Sequence, residues 1–202
     1  NQPRQWRAQA SLEIAAPPAA VLAEFEDLTR WPTWSAWARD NDTGYERTYS
    51  GAPSGVGAVM SWHEKGGASQ VRVGTLRSRK VPGGTSIGHV RITAVRGETG
   101  LDLETTNVAG LVVERRVRDG ESSTSSRLGL NVTDRDFVVP GHVTLEPTPN
   151  GTRVTWVEEG DLGDGFVAGL LALAMRGHLE EAHVEVLDLS LRGLERKLET
   201  PR

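Results

Sequence analysis

The sequence contains no cysteine. Disulfides, thiolate nucleophiles and cysteine-ligated zinc are therefore excluded. The absence fixes no compartment, because exported proteins can do without bridges. No stretch approaches the roughly 18–20 apolar residues that span a bilayer as a helix. A basic excess is also missing: 23 Lys and Arg stand against 27 Asp and Glu, a formal net charge of −4. Nucleic acid, which selects a basic face, is not an expected partner. There is no H-E-x-x-H pattern for a metal. Gly55-x-Gly57 is followed by no helix, so it is not a phosphate loop.

What remains is a chain of 202 residues, 37% hydrophobic and 25% charged. That composition fits a folded globular chain, and the length fits one domain over 1–202 better than two. The first residue is Asn1, not methionine. A preceding piece is therefore expected to have been removed, and a signal or membrane anchor is compatible with it. The expected location is the cytoplasm, or a membrane surface if such a segment was lost.

Hydrophobic periodicity divides the chain into three parts. Residues 6–14 alternate as a strand, with Ala8, Ala10, Leu12 and Ile14 on one face. After Pro17-Pro18, residues 19–28 read as a helix carrying Val21, Leu22, Phe25 and Leu28. Trp31-Pro32-Thr33-Trp34-Ser35-Ala36-Trp37 follows as a second short helix. From Tyr45 to Trp156, Val/Ile/Leu/Thr runs alternate with glycine-bearing turns. Strands are expected at 44–50, 56–64, 68–79, 86–96, 100–107, 111–117, 137–147 and 151–158, as an antiparallel meander. Finally, 166–198 reads as one long amphipathic helix. Phe166, Leu170, Leu173 and Ala174 form one apolar row, and Val184, Leu187, Leu191, Leu194 and Leu198 a later one. Gly177 marks an expected bend or break. A sheet of this size has one face to cover, and only the last helix is long enough to cover it.

Several stretches resemble the SRPBCC, or START-like, superfamily, and its polyketide cyclase/dehydrase-type members in particular. They are Glu13-Ile14-Ala15-Ala16-Pro17 with Val21, then Asp27 through Trp31-Pro32-Thr33-Trp34-Ser35-Ala36-Trp37, where Ala36 replaces the usual proline. Tyr49-Ser50-Gly51, Gly55-Val56-Gly57-Ala58, Ser61-Trp62, Gly151-Thr152-Arg153-Val154-Thr155-Trp156 and Gly193-Leu194 continue the likeness in order. Residues 108–140 depart from it. The resemblance implies an α+β helix-grip fold: a curved antiparallel sheet around a long C-terminal helix, with two short helices after the first strand. It also implies a hydrophobic cavity under that helix, but no single activity.

Strand phase then sorts the candidates. Ala58, Met60 and Trp62 share a face, as do Val90, Ile92 and Ala94, and Val154 and Trp156. These apolar sets are expected to face the cavity, leaving His63, His89 and Arg91 in solvent. Gln70 and Arg72 are likewise expected to be exposed. The expected ligand-binding residues on the sheet are Met60, Trp62, Val90, Ile92, Leu103, Val143, Leu145, Val154 and Trp156. Phe166, Leu170 and Leu173 join them from the helix, whose segment 166–175 would act as a gate. Trp31, Trp34 and Trp37 are expected to seal the short helix against the sheet. Replacing Trp156 by alanine is expected to weaken binding without unfolding the chain. Glu158, in phase with Val154 and Trp156, is the one weak catalytic candidate, as a general base. His178 and His183 lie five apart on the helix and do not converge, so both are placed on the surface and no metal is expected.

The reading favoured by the residues is carriage of a small hydrophobic molecule, lipid-like or polyketide-like, without a cofactor. An enzyme of the polyketide cyclase/dehydrase type is the alternative, and a pocket holding two or more convergent ionisable groups would reverse the preference in its favour. A protein-interaction module with a filled core is a third.

Overall fold

The computed structural model describes residues 5–36, 38, 45–64, 72–73, 76–78, 86–107, 111–114, 127–128, 137–161 and 166–199. For 45, 63–64, 72–78, 86–87, 107, 111–128, 137, 166–179 and 182, whatever is described is the backbone course alone.

Strand β1 (Gln5–Ile14) alternates as its sequence does, burying Trp6, Ala8, Ala10 and Ile14 and exposing Arg7, Gln9, Ser11 and Glu13. Pro17 and Pro18 end the strand and start α1 (Pro18–Glu26), where a missing N–H costs nothing. A 3₁₀ turn, Leu28–Thr33, follows. Its first N–H groups are met by Asp27, whose side chain accepts from Thr29 N at 3.0 Å.

The main sheet has seven strands in the order β1-β11-β10-β7-β6-β3-β2, all antiparallel. They are β2 (Tyr45–Gly51), β3 (Ala58–Glu64), β6 (Ser86–Val95), β7 (Gly100–Asn107), β10 (Phe137–Thr148) and β11 (Gly151–Asp161), with β1 closing on β11. Two excursions interrupt the meander. One, between β3 and β6, holds β4 (Arg72–Val73) and β5 (Leu76–Ser78); the other, between β7 and β10, holds β8 (Leu111–Glu114) and β9 (Arg127–Leu128). These form a second sheet, β4-β5-β8-β9. Of the strand expected at 68–79 the described residues form two short strands paired with each other, and of that expected at 111–117 the described residues are 111–114. Both excursions leave from one end of the main sheet, because His63 pairs Ser86, Gly88 pairs Asn107 and Asn107 pairs Phe137.

One phase expectation fails within β6. The register shifts between Ile92 and Ala94, so Val95, not Ala94, stands across from Leu101 and packs on the core. A bulge of this kind inserts one residue and turns the rest of the strand over.

Helix α2 (Phe166–Glu199) is continuous, without a break at Gly177. Among the described residues, no helix is long and apolar enough to cross a membrane. The second half of α2 lies along β1 and is fixed at several points. Leu187, Leu191 and Leu194 are fully buried. Ser190 Oγ accepts from Ala36 N at 2.9 Å and donates to Val186 O at 2.7 Å. Gly193 faces the Trp34 carbonyl so closely that a Cβ there would sit far inside van der Waals contact. Lys197 Nζ reaches the buried Glu24 carboxylate of α1, which also holds Arg30. Val184, expected in the apolar row, is instead 39% exposed.

Candidate functional site

The floor of the site is the inward face of the sheet. Met60, Val90, Ile92, Leu103, Val143, Leu145, Val154 and Trp156 all lie on it, and each is 3% exposed or less. Burial this complete leaves no accessible surface around them. A guest touching these side chains must displace what now covers them. Over the end where β11 begins, the cover is aromatic. Trp156 meets Phe25 edge-on at 5.5 Å between centroids and Trp31 at 5.6 Å, while Trp34 packs on Phe25 at 5.0 Å. The Trp31 indole donates to Phe25 O at 3.1 Å. Trp31 and Trp34 seal the turn against the sheet as expected; the side chain of Trp37 lies outside the described residues. Trp156 is a core residue, so its replacement by alanine would open the core itself, at a cost of about 3–5 kcal/mol. That corrects the expectation of a variant that only binds less well.

The opposite end of the floor, where the excursions leave, is less closed. Trp62 retains partial exposure there, with its indole across Gly88 of the next strand. A Cβ at Gly88 would stand 2.8 Å from two ring carbons, so the absent side chain is what lets the indole lie flat on the strand. Arg47, opposite Trp62 in the register, shares this face.

The same end carries the ionisable pair that sequence reading separated. Glu158 is 3% exposed, in phase with Val154 and Trp156 as expected. His183 is not on the surface. Its Nδ1 lies 2.8 Å from Glu158 Oε2, and its ring sits 4.3 Å from that of Trp6. Helical spacing alone could not find this contact, since it joins residues 25 apart on different elements. The charge of the helix turn is otherwise acidic, with Glu180, Glu181 and Glu185 alongside. Among the described residues no group of three His, Asp or Glu side chains gathers as metal ligands would.

Three buried polar atoms have no hydrogen-bond partner among the described residues: Trp34 Nε1, Ser35 Oγ and Trp156 Nε1. An unmet buried donor costs about 1–3 kcal/mol. The Trp156 N–H has a defined place. It lies 3.5 Å from where a Cβ of Gly141 would be, and Gly141 stands directly across from Glu158 on one side and Leu103 on the other.

The outer face carries a different cluster. Asp102 accepts from Arg96 and lies 2.9 Å from His142 Nδ1. Burial acts to raise its carboxyl, but the hydrogen bonds from Arg96 and His142 and the attraction of both hold it below the ordinary aspartate value. His89 is half-buried and Arg91 exposed on this face; His63, Gln70, Arg72, Phe166, Leu170, Leu173 and His178 have side chains outside the described residues.

No protein-family model matches the sequence, and no curated protein matches it. Solved structures do resemble it. A protein of unknown function from Staphylococcus aureus superposes with a TM-score of 0.56 at 9% identity, over 96% of this chain and 94% of its own. An uncharacterised protein from Rhizobium leguminosarum gives 0.52 at 13% identity, over 96% and 95%. A Mycobacterium smegmatis protein gives 0.51 at 16% identity, over 97% and 92%. At such identities the likeness shows the fold alone. A seven-stranded antiparallel sheet with a long C-terminal helix fits the α+β helix-grip class and is compatible with the START-like resemblance.

Proposed function

We propose that the chain acts as one START-like domain that binds and carries a small, mainly apolar molecule in the groove between the main sheet and α2. The observation that carries this reading is Trp62. It is a large aromatic side chain packed against the apolar floor yet left partly accessible, at the end where the excursions leave. Such a ring supplies much contact area at small entropic cost. The guest enters from that end, and the turns of α2 before His183 give way to admit it. Phe166, Leu170 and Leu173 complete the lining in this reading.

Native mass spectrometry of the purified protein tests it. The expected result is an adduct of a few hundred daltons that is lost on denaturation, or uptake of an added apolar fluorophore that weakens at least fivefold in Trp62→Ala. A protein that takes up no apolar probe, with its fold intact, would end the proposal.

A second reading rests on the Glu158–His183 pair. A buried carboxylate that orients an imidazole is a general-base arrangement, and it favours the polyketide cyclase/dehydrase-type alternative. There His183 would remove a proton beside a substrate carbonyl while Glu158 holds the ring. Exchange of α-protons for deuterium in a bound ketone, abolished in His183→Gln, is the expected sign. Exchange at the buffer rate excludes it.

A further inference from the structure

We propose that Asn150 is a site of spontaneous deamidation, and that the fold accepts the aspartate product while the isoaspartate product strains it. The site lies at the pole of the aromatic cluster and does not depend on the binding reading.

Deamidation begins when the backbone nitrogen of the following residue reaches the side-chain amide carbon. A Cβ on that residue hinders the approach, so Asn-Gly is the reactive pair. Asn150-Gly151 is such a pair, whereas Asn1, Asn41, Asn107 and Asn131 precede Gln2, Asp42, Val108 and Val132. The fold presents it in the open. Strand β10 ends at Thr148 and β11 begins at Gly151, and these two stand across from each other as the last pair of the ladder. Pro149 and Asn150 form the two-residue loop between them, and both are exposed. Water therefore reaches the side-chain amide, and the loop backbone lies outside the ladder.

In the reaction the Gly151 nitrogen attacks Asn150 Cγ. A bond from that nitrogen to Cγ forms, the Cγ–Nδ2 bond breaks, and ammonia leaves with the Gly151 amide proton. Water then opens the five-membered imide. Opening at Cγ gives aspartate. Opening at the main-chain carbonyl gives isoaspartate, whose chain runs through the former side chain and is longer. The net change is water in and ammonia out, with no oxidant or reductant.

Gly151 separates the two products. Its φ of +154° favours glycine, and a Cβ there would lie 2.1 Å from Ile14 O and 2.9 Å from Ala15 Cα. The backbone at Gly151 is thus pressed against the end of β1. One residue on, Thr152 is fully buried, and its hydroxyl donates to Ala16 O at 2.7 Å. Aspartate keeps this path and suits such a turn. A longer main chain in a two-residue loop must lift Gly151 from Ile14 or break the last ladder pair.

The test incubates the intact chain in mildly alkaline buffer, folded or in urea. Mass spectrometry follows the peptide that carries Asn150, with fragmentation that separates the two products. Turning the Gly151 nitrogen onto the side chain gives up the last ladder pair. Folding should therefore slow the reaction by roughly 3–10-fold, the worth of one backbone hydrogen bond. Aspartate should dominate in the folded chain and isoaspartate in urea. Asn150→Gln should abolish the change. Asn150→Asp should unfold at the wild-type urea midpoint, while the isoaspartate form recovered from urea and refolded should unfold at a lower one. A folded chain that keeps its Asn150 amide while the unfolded chain loses it would overturn the site, as would conversion no faster than at the other asparagines. Isoaspartate as the main product of the folded chain, or an isoaspartate form as stable as wild type, would overturn the part assigned to Gly151.

Discussion

His183 on α2 and Glu158 on β11 make a hydrogen-bonded pair that ties the helix to the sheet, at 2.8 Å, with Trp6 of β1 packed on the imidazole. Because the carboxylate is buried, its partner matters more than the contact's length implies. His183→Ala should destabilise the fold by about 2–4 kcal/mol, by leaving Glu158 without the donor it has here. Glu158→Gln should cost less, because an amide oxygen still accepts. Urea denaturation measures both, and two variants within about 0.5 kcal/mol of wild type would show the pair to be idle.

A second tie crosses from α1. Glu24 is buried, and its two oxygens engage Arg30 and Lys197. Lys197→Met removes a partly exposed partner and should cost about 1 kcal/mol. Glu24→Ala should cost about 2–3 kcal/mol, since it empties a buried site and releases both cations. The double variant should cost less than the sum. Additive losses would mean that the two residues do not interact in solution.

Glycine to alanine inside a helix ordinarily stabilises by up to about 1 kcal/mol. At Gly193 the sign should reverse. The added methyl would collide with the Trp34 backbone carbonyl, which cannot swing aside as a side chain tip can. A loss of at least about 2 kcal/mol is expected. Gly193→Ala with a raised melting temperature would refute the close crossing.

Asp102 sets an acid limit on the outer face. Its carboxyl is held below the ordinary value of 3.8 in the folded chain. Its stabilising contribution is therefore complete above that value and is lost as pH falls below it, through the folded value. Asp102→Asn should lower stability at neutral pH and flatten the fall in stability below about pH 4. Parallel acid profiles for variant and wild type would remove Asp102 from the account.

Much of this was legible in the sequence. Strand phase placed Met60, Val90, Val154 and Trp156 on one face because alternation of side chains is a local property. It failed after Ile92, where a bulge adds a residue without any mark in the apolar pattern. It also merged β4 with β5, since strands of two and three residues leave too few alternations to count. Glu158 was found by phase, but His183 was not, because the contact depends on where α2 crosses β11. That crossing follows from the Gly193–Trp34 approach and from Ser190, and neither has a signal in helical periodicity. The place of Gly141 beside Trp156 likewise needs the pairing of β10 with β11, which no single strand declares.

Both excursions depart from one rim of the seven-stranded sheet, and the proline-started helix with its tryptophan turn occupies the other. The molecule thereby divides its labour by pole. One pole is held by the close crossing of Gly193 on Trp34, by Ser190 and by the tryptophan cluster, the other by the contact of Glu158 with His183 and Trp6. On the binding reading proposed above, a guest entering at the excursion pole would contest the Glu158–His183 tie before it reached the aromatic lock.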